Sequence, residues 1–383
     1  MPKIGIAMIA RNAEELMPLA LDPFSANGTV DEIAIVLGGI SSDGTPELAE
    51  KYATLPVEAF CGDVDKDGRL MSFAQARQQS FDILARAGCE YALVIDTDDQ
   101  WVGIEHLRNV LEATHKGGFP QTVFPYRYQG GEFLQPRIYR IDSGYWQGPC
   151  HNYWELNDGI PRTGLQTDMM AIVQERPPAM GEDRRKQNIR ISQSWMAEHG
   201  DNPRLLLHMS KDMMVDHDFE GAEDALNRYF IAYEVDDKND PEELYNAYHA
   251  RAALYLMGNR FDEALFDTFR ALAIRPHGQT WTLAAESAGW LAQSSRESRT
   301  LLKLAAFCAE QAIETGKPRG NLHWHSENLT GALPFFLKAR ALAGLGDLRK
   351  ARGALDVALL MQPDYVEARN LLKDISRQLG ELE

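Results

Sequence analysis

The chain has 383 residues and carries 39 Lys and Arg against 56 Asp and Glu, a formal net charge of −17. Hydrophobic residues make up 44% and charged residues 25%, the mixture of a soluble globular protein with room for two or three domains. The acidity argues against a broad grip on nucleic acid, which needs surplus Lys and Arg, and disfavours anionic membrane surfaces.

No apolar run approaches the roughly 20 residues of a membrane span. The early run at residues 4–10 lacks a basic leader and is ended by Arg11 and Asn12, so a signal peptide is not expected. Cys61, Cys89, Cys150 and Cys308 show no CxxC spacing, so a disulfide scaffold is not expected and a cytoplasmic location fits best.

Residues 3–10 read as a buried strand and residues 13–21 as a helix. Residues 33–37 form a second apolar, β-branched run, ended by Gly38 and Gly39. A short helix over 46–52 is opened by Asp43-Gly44-Thr45. A longer helix covers 73–87. Residues 91–95 are a third buried strand that runs into Asp96-Thr97-Asp98-Asp99, where Asp99 is expected to cap a following helix. This alternation predicts an α/β domain with a mostly parallel sheet, whose ligands sit beyond the carboxyl ends of the strands. After about residue 120, aromatic segments at 123–126, 136–140 and 145–148 read as hairpins added to the sheet, which makes it mixed. Residues 175–203 are polar and hold Pro177-Pro178 and Arg184-Arg185-Lys186; their later part is expected to be a domain linker.

The second half is helical and repetitive. Phe261-Asp-Glu-Ala264 is followed by Ala271 and Pro276, and Leu348-Arg-Lys-Ala351 by Ala358 and Pro363 at the same spacing. Weaker copies run through Phe219, Ala222 and Tyr229, and through Leu302, Ala305, Ala312 and Pro318. Small residues seven apart share one helix face, where a neighbouring helix can approach closely. Helix pairs that recur in this way stack into a solenoid. Gly258-Asn-Arg-Phe-Asp-Glu-Ala264 and Leu345-Gly-Asp-Leu-Arg-Lys-Ala351 resemble the tetratricopeptide repeat, which implies a surface for a peptide or protein.

Two carboxylates one residue apart at a strand end can face one hard cation and its diphosphate ligand, since Mg²⁺ and Mn²⁺ favour carboxylate and phosphate oxygens. Asp96 and Asp98 have that spacing. Five segments in order then resemble a family 2 glycosyltransferase with the GT-A nucleotide-sugar-binding fold: Ile6-Ala-Met-Ile-Ala-Arg-Asn12, residues 31–45, Phe73-Ala-Gln-Ala-Arg-Gln78, Leu93-Val-Ile-Asp-Thr-Asp-Asp99, and the later pair Pro136-Arg-Ile-Tyr-Arg140 and Trp146-Gln-Gly-Pro-Cys-His151. The resemblance covers roughly residues 3–155.

The resemblance implies a GT-A-like domain over residues 1–200, linker included, followed by an all-α tetratricopeptide-like solenoid over 201–383. It implies inverting transfer of a sugar from a nucleotide-sugar donor, a UDP-sugar first, to an acceptor, with the repeats holding the acceptor or a partner; protein, peptide, polysaccharide, lipid-linked glycan and modified nucleic acid all stay open as acceptors. Asp96, Asp98 and His151 would hold Mn²⁺ or Mg²⁺. Arg11, Asp43, Arg77 and Asp96 would contact the donor. Glu155, and after it Asp168, would be the base that deprotonates the acceptor. Two departures oppose this. Gly38 stands where the family has an aspartate, and Asn152 where it has a glutamate. The alternative is a non-catalytic repeat scaffold with a degenerate sugar-nucleotide-binding domain. A nucleotidyltransferase lacks support, because no glycine-rich phosphate loop follows the first strand. A homodimer stays open.

Three motifs remain outside this frame. Asp63-Val-Asp-Lys-Asp-Gly68 matches the start of an EF-hand loop, but its twelfth position is Ala74, so an acidic surface loop is expected rather than a calcium site. His323-Trp324-His325 is a poor metal pair. Arg184-Arg185-Lys186 reads as solvated.

Overall fold

A computed structural model describes the chain except residues 129–130, 175–177, 236–239, 317–324 and 382–383. Pro177, Pro318 and the His323-Trp324 pair therefore lie outside the described residues. The chain divides into two compact units between Gly200 and Asp201.

The first unit is built on β1 (Ile4–Ala10), β2 (Glu32–Leu37), β3 (Glu58–Ala59) and β4 (Tyr91–Val94). β1, β2 and β4 are apolar on both faces because both faces are covered. β1 runs parallel to β2 and to β4. The sheet continues through β5 (Gln100–Val102), β6 (Gln121–Tyr128), β7 (Gly131–Arg140), β10 (Leu165–Gln166) and β11 (Ala171–Gln174), in the order β3-β2-β1-β4-β7-β6-β11-β5, with β10 beside β6. β7 is antiparallel to both β4 and β6, so the sheet is mixed. β8 (Gly144–Gln147) and β9 (Tyr153–Leu156) form a separate hairpin.

One face buries Ile4, Ile6, Met8, Ile35 and Leu93 with Phe24 of α1 (Met17–Asn27) and Leu111 of α4 (Leu107–Lys116). The other buries Ala7, Val36 and Val94 against α3 (Phe73–Arg86). That helix lies close. A Cβ at Gly5 would stand 2.3 Å from Leu84 Cδ2, so a larger residue there would have to push that helix's side chain aside. α2 (Thr45–Tyr52) follows β2.

Three sequence expectations shift. The first helix begins at Met17, with a proline in its first turn. The residues before it are used otherwise: the Ala13 amide donates to Thr45 Oγ1 at 2.7 Å. Asp99 caps no helix, because β5 follows it and its side chain turns inward. The expected linker is instead α5 (Pro178–His199), a 22-residue helix. Its Arg, Lys, Gln, Glu and Ala content favours helix, and Ile191 and Met196 bury one stripe.

The second unit holds the hairpins α6 (Pro203–Val215)/α7 (Phe219–Val235), α8 (Pro241–Met257)/α9 (Phe261–Ile274), α10 (Gly278–Ser294)/α11 (Ser298–Thr315) and, after the short α12 (Glu327–Thr330), α13 (Ala332–Gly344)/α14 (Leu348–Met361). α15 (Val366–Gln378) packs on α14. The residue pairs spaced by seven all lie on second helices. Ala222 with Tyr229, Ala264 with Ala271, Ala305 with Ala312 and Ala351 with Ala358 are each at most 1% exposed. His217, Asn259 and Gly346 hold φ at 63°, 59° and 86° in the turns that open α7, α9 and α14. The helical-repeat architecture thus follows from small residues at seven-residue spacing.

Candidate functional site

β1, β2 and β4 run the same way, so their carboxyl ends deliver three loops to one edge of the sheet. β1 delivers Arg11 and Asn12. The loop after β2 delivers Ser41 to Thr45. β4 delivers Asp96 to Asp99.

Asp43 serves the turn it sits in. Its Oδ1 accepts from Thr45 Oγ1 at 2.6 Å and the Thr45 amide at 3.2 Å, and its Oδ2 accepts from the Glu14 amide at 3.1 Å. Burial opposes its charge, but these bonds hold its carboxyl below the usual range. Glu14 reciprocates, accepting from the Gly44 amide at 2.9 Å. Arg11 Nε donates to the Ile40 carbonyl at 3.0 Å, and burial together with nearby Arg69 lowers its pKa. At Gly38 the aspartate of the glycosyltransferase pattern would have to push two side chains aside. A Cβ there would stand 2.8 Å from Leu70 Cδ2 and 2.9 Å from Ile9 Cγ2.

Asp96 is enclosed by two guanidinium groups. Arg77 of α3 donates Nη2 to Oδ1 at 2.6 Å, and Arg137 of β7 donates Nη1 to Oδ2 at 3.1 Å. Arg137 also pairs with Asp99 at 3.0 Å, and the Asp99 carboxylate accepts from the Asp96 amide at 2.9 Å. The Arg137 side chain is 3% exposed and that of Asp99 0%. Arg77 lies 5.4 Å over the Trp146 ring, which belongs to an aromatic cluster with Phe81, Tyr139 and Trp154. Burial alone would raise the Asp96 carboxyl, but the charges of Arg77 and Arg137 hold it well below the usual range. Burial pushes Asp99 the other way, to about 7, with the charge of Asp96 adding to it. The same carboxylates raise Arg137 against its own burial.

Sequence reasoning assigned Arg137 no role. The signal was present in Pro136-Arg-Ile-Tyr-Arg140: strand alternation puts Arg137 on the face of buried Tyr139, and a buried arginine requires carboxylate partners.

Asp98 is half-buried. His151 sits at φ 48° in the turn between β8 and β9. Glu155 lies on β9, 3.6 Å from Arg162, and Asp168 is exposed. Among the described residues no three His, Cys, Asp or Glu side chains are gathered as a metal set. A divalent cation at Asp96 would have to displace two permanent cations from both of its oxygens. The Asp96 carboxylate as arranged therefore does not fit a resident metal.

The EF-hand-like loop is also closed by arginine. Asp65 Oδ1 accepts from the amides of Asp67 and Arg69 at 2.8 and 2.9 Å, while Oδ2 pairs with Arg190 of α5. Asp183 of the same helix pairs with Arg69 at 3.2 Å. Guanidinium stands where a cation would.

No family model and no curated protein matches this chain. Solved structures do. The segment of MamA from residue 41 onward, from Desulfovibrio magneticus RS-1, is 18% identical, with 48% of this chain and 88% of that one covered at a TM-score of 0.37. YrrB, a TPR protein with an unusual peptide-binding site, is 16% identical, with 50% and 85% covered and a TM-score of 0.37. TTC0263, a thermophilic TPR protein of Thermus thermophilus, is 19% identical, with 47% and 84% covered and a TM-score of 0.33. Among the described residues no helix is long and apolar enough to cross a membrane.

Proposed function

We propose that this chain is a partner-binding scaffold, in which helical repeats hold a polypeptide segment and the N-terminal unit is a sugar-nucleotide-type fold that has lost its metal centre. The carrying observation is the closure of Asp96 by Arg77 and Arg137. Guanidinium charge replaces the cation that the Asp96/Asp98 spacing would otherwise serve. The crowded position at Gly38 supports the same reading. On the repeats, Phe266, Phe307 and Phe269 are 59%, 53% and 38% exposed. Aromatic surface of this kind is what partner binding covers.

Titration calorimetry with UDP, with and without Mn²⁺, tests the reading, followed by a hydrolysis screen over UDP-, GDP- and TDP-sugars. The expected result is no Mn²⁺-dependent binding and no hydrolysis above buffer.

A second reading is supported by the convergence of Arg11, Asp43, Arg77 and Asp96 on one carboxyl edge of the parallel strands. There the chain is an inverting glycosyltransferase. Asp98 ligates Mn²⁺ or Mg²⁺ with Asp96 and His151, Glu155 or Asp168 is the base, and the repeats hold a protein or peptide acceptor. Mn²⁺-dependent donor hydrolysis that disappears in Asp98→Ala would establish this reading and overturn the first.

A further inference from the structure

Helices α10, α11 and α13 line a half-open pocket of about 330 Å³. Its walls are mostly small or aliphatic, with Gln293 of α10 and Ser298 of α11 as uncharged polar members. Ala285, Gly289 and Ala292 come from α10, Leu302 from α11, and Ala341 and Gly344 from α13. Arg340 of α13 supplies the only charge among its lining residues.

That guanidinium is placed by packing rather than by a counter-charge. It lies 4.8 Å over the Trp290 ring, and Trp290 is stacked in turn on Phe261, with centroids 6.0 Å apart and planes 15° from parallel. A Cβ at position 289 would stand 3.0 Å from Arg340 Nη2, so glycine gives the guanidinium its bed. Nη2 is buried and has no hydrogen-bond acceptor. No described residue forms an ion pair with Arg340, and Glu286 acts on it only from further away. Burial lowers its pKa, as expected for a desolvated cation without a partner.

A buried charged donor left unmade is costly, and a ligand that supplies the acceptor recovers that cost. A mostly aliphatic pocket with a few polar groups, one of them charged, is the common form of a small-ligand subsite. The charge asks for an anion, and the walls ask for an apolar body. The lining holds no second cation, so a doubly charged phosphate would stay half-compensated. A carboxylate matches the planar guanidinium fork with one charge.

We propose that this pocket binds a carboxylate carried on a short aliphatic body, the terminal or side-chain carboxylate of the polypeptide that the repeats hold. Arg340 pairs with the carboxylate and the alanine and glycine walls take the aliphatic part. The inference rests on the partner-binding reading of the repeats, and the two can fail separately.

The test uses the full chain and two probes of nearly equal shape, isocaproate and its amide. The readout is the indole N–H resonance of Trp290, identified by its loss in Trp290→Phe. Isocaproate should shift it saturably, and the amide should bind about tenfold more weakly or less, the worth of one charge-assisted hydrogen bond. Arg340→Leu should abolish the response to isocaproate without lowering the melting temperature, because it removes an uncompensated charge. Should that variant fold poorly, Ala292→Leu fills the cavity and leaves Arg340 in place, and it too should lose the response. Equal binding of acid and amide, no shift with either, or undiminished isocaproate binding by both variants would overturn the inference. An array of defined peptides with free or amidated C-termini separates the two ideas. Peptides bound equally by wild type and Arg340→Leu would overturn the pocket and leave the partner-binding reading standing, whereas no peptide binding, with isocaproate still bound, would do the reverse.

Discussion

Arg77 closes on Asp96 across the carboxyl edge of the sheet, Nη2 to Oδ1 at 2.6 Å. Arg137 approaches the other oxygen of the same carboxylate at 3.1 Å and also holds Asp99. Asp96, Asp99, Arg77 and Arg137 thus form one largely buried polar network. The network depends on every member, because removing one partner leaves a buried charge without compensation. Arg137→Met keeps the volume and deletes the charge. It should lower the stability of the first unit by about 3–5 kcal/mol, read as a fall in the urea midpoint. Adding Asp99→Asn should recover part of that loss. An Arg137→Met variant as stable as the wild type would show that the network contributes nothing.

Gly39 offers a test of the loop after β2. Its φ is 115°, and a Cβ there would stand 1.9 Å from the Gly68 carbonyl oxygen. The clash is with backbone, which cannot swing aside as a long side chain can. Gly39→Ala should therefore break the bridge between Gly39 and Arg69 and detach the acidic loop from the strand end. The expected cost is about 1–3 kcal/mol, with faster amide exchange at Ile40, whose N–H donates to Gly68 at 3.0 Å. Unchanged exchange at Ile40 would refute it.

Most of the fold could be read from the chain because two periodicities carry it. Apolar runs with β-branched residues gave β1, β2 and β4, and small residues spaced by seven gave the second helix of each repeat hairpin. Short-range pattern failed where tertiary contacts decide. Gln100–Val102 is a three-residue strand held by β11, far along the chain, and three residues carry no period. The later part of residues 175–203 reads as linker because the stretch is polar, and the apolar stripe of the helix Pro178–His199 is thin. The site was legible as a set of strand ends and not as an ionic arrangement. Asp96 and Asp98 have metal-ligand spacing in sequence, but whether a carboxylate meets a metal or an arginine depends on Arg77 and Arg137, 19 and 41 residues away.

A second buried pair anchors the repeats. Arg251 of α8 donates Nε and Nη2 to the two oxygens of Asp267 on α9, at 2.6 and 3.1 Å, and lies 4.1 Å over the Phe230 ring. The Asp267 side chain is 2% exposed. Arg251→Met should destabilise the second unit by about 3–5 kcal/mol, since Asp267 would keep only Arg270, at 3.5 Å. The double variant Arg251→Met with Asp267→Leu should recover most of the loss, because apolar side chains of similar volume fill the same space. Chemical denaturation of the single and double variants measures both. A double variant no better than the single one would mean that the loss comes from packing on Phe230.

The repeats should also lose stability in acid through one histidine. His249 of α8 shares a hydrogen bond of 2.9 Å with Thr280 Oγ1 and stacks on Tyr245. Burial, with the charges of Lys211 from α6 and His277 from the start of α10 adding to it, holds its imidazole down at about 3. The folded protein therefore keeps His249 neutral as the pH falls, while the unfolded chain takes up its proton near the ordinary value of about 6.5. Between those two values the unfolded state binds more protons, so the stability this group contributes is complete above about 6.5 and declines as the pH falls toward 3. From pH 7 to pH 5 the decline should reach about 2 kcal/mol. His249→Gln keeps a partner for Thr280 and cannot titrate, so its unfolding midpoint should fall less over the same interval. A His249→Gln protein that loses as much stability between pH 7 and pH 5 as the wild type would place the acid sensitivity on other groups.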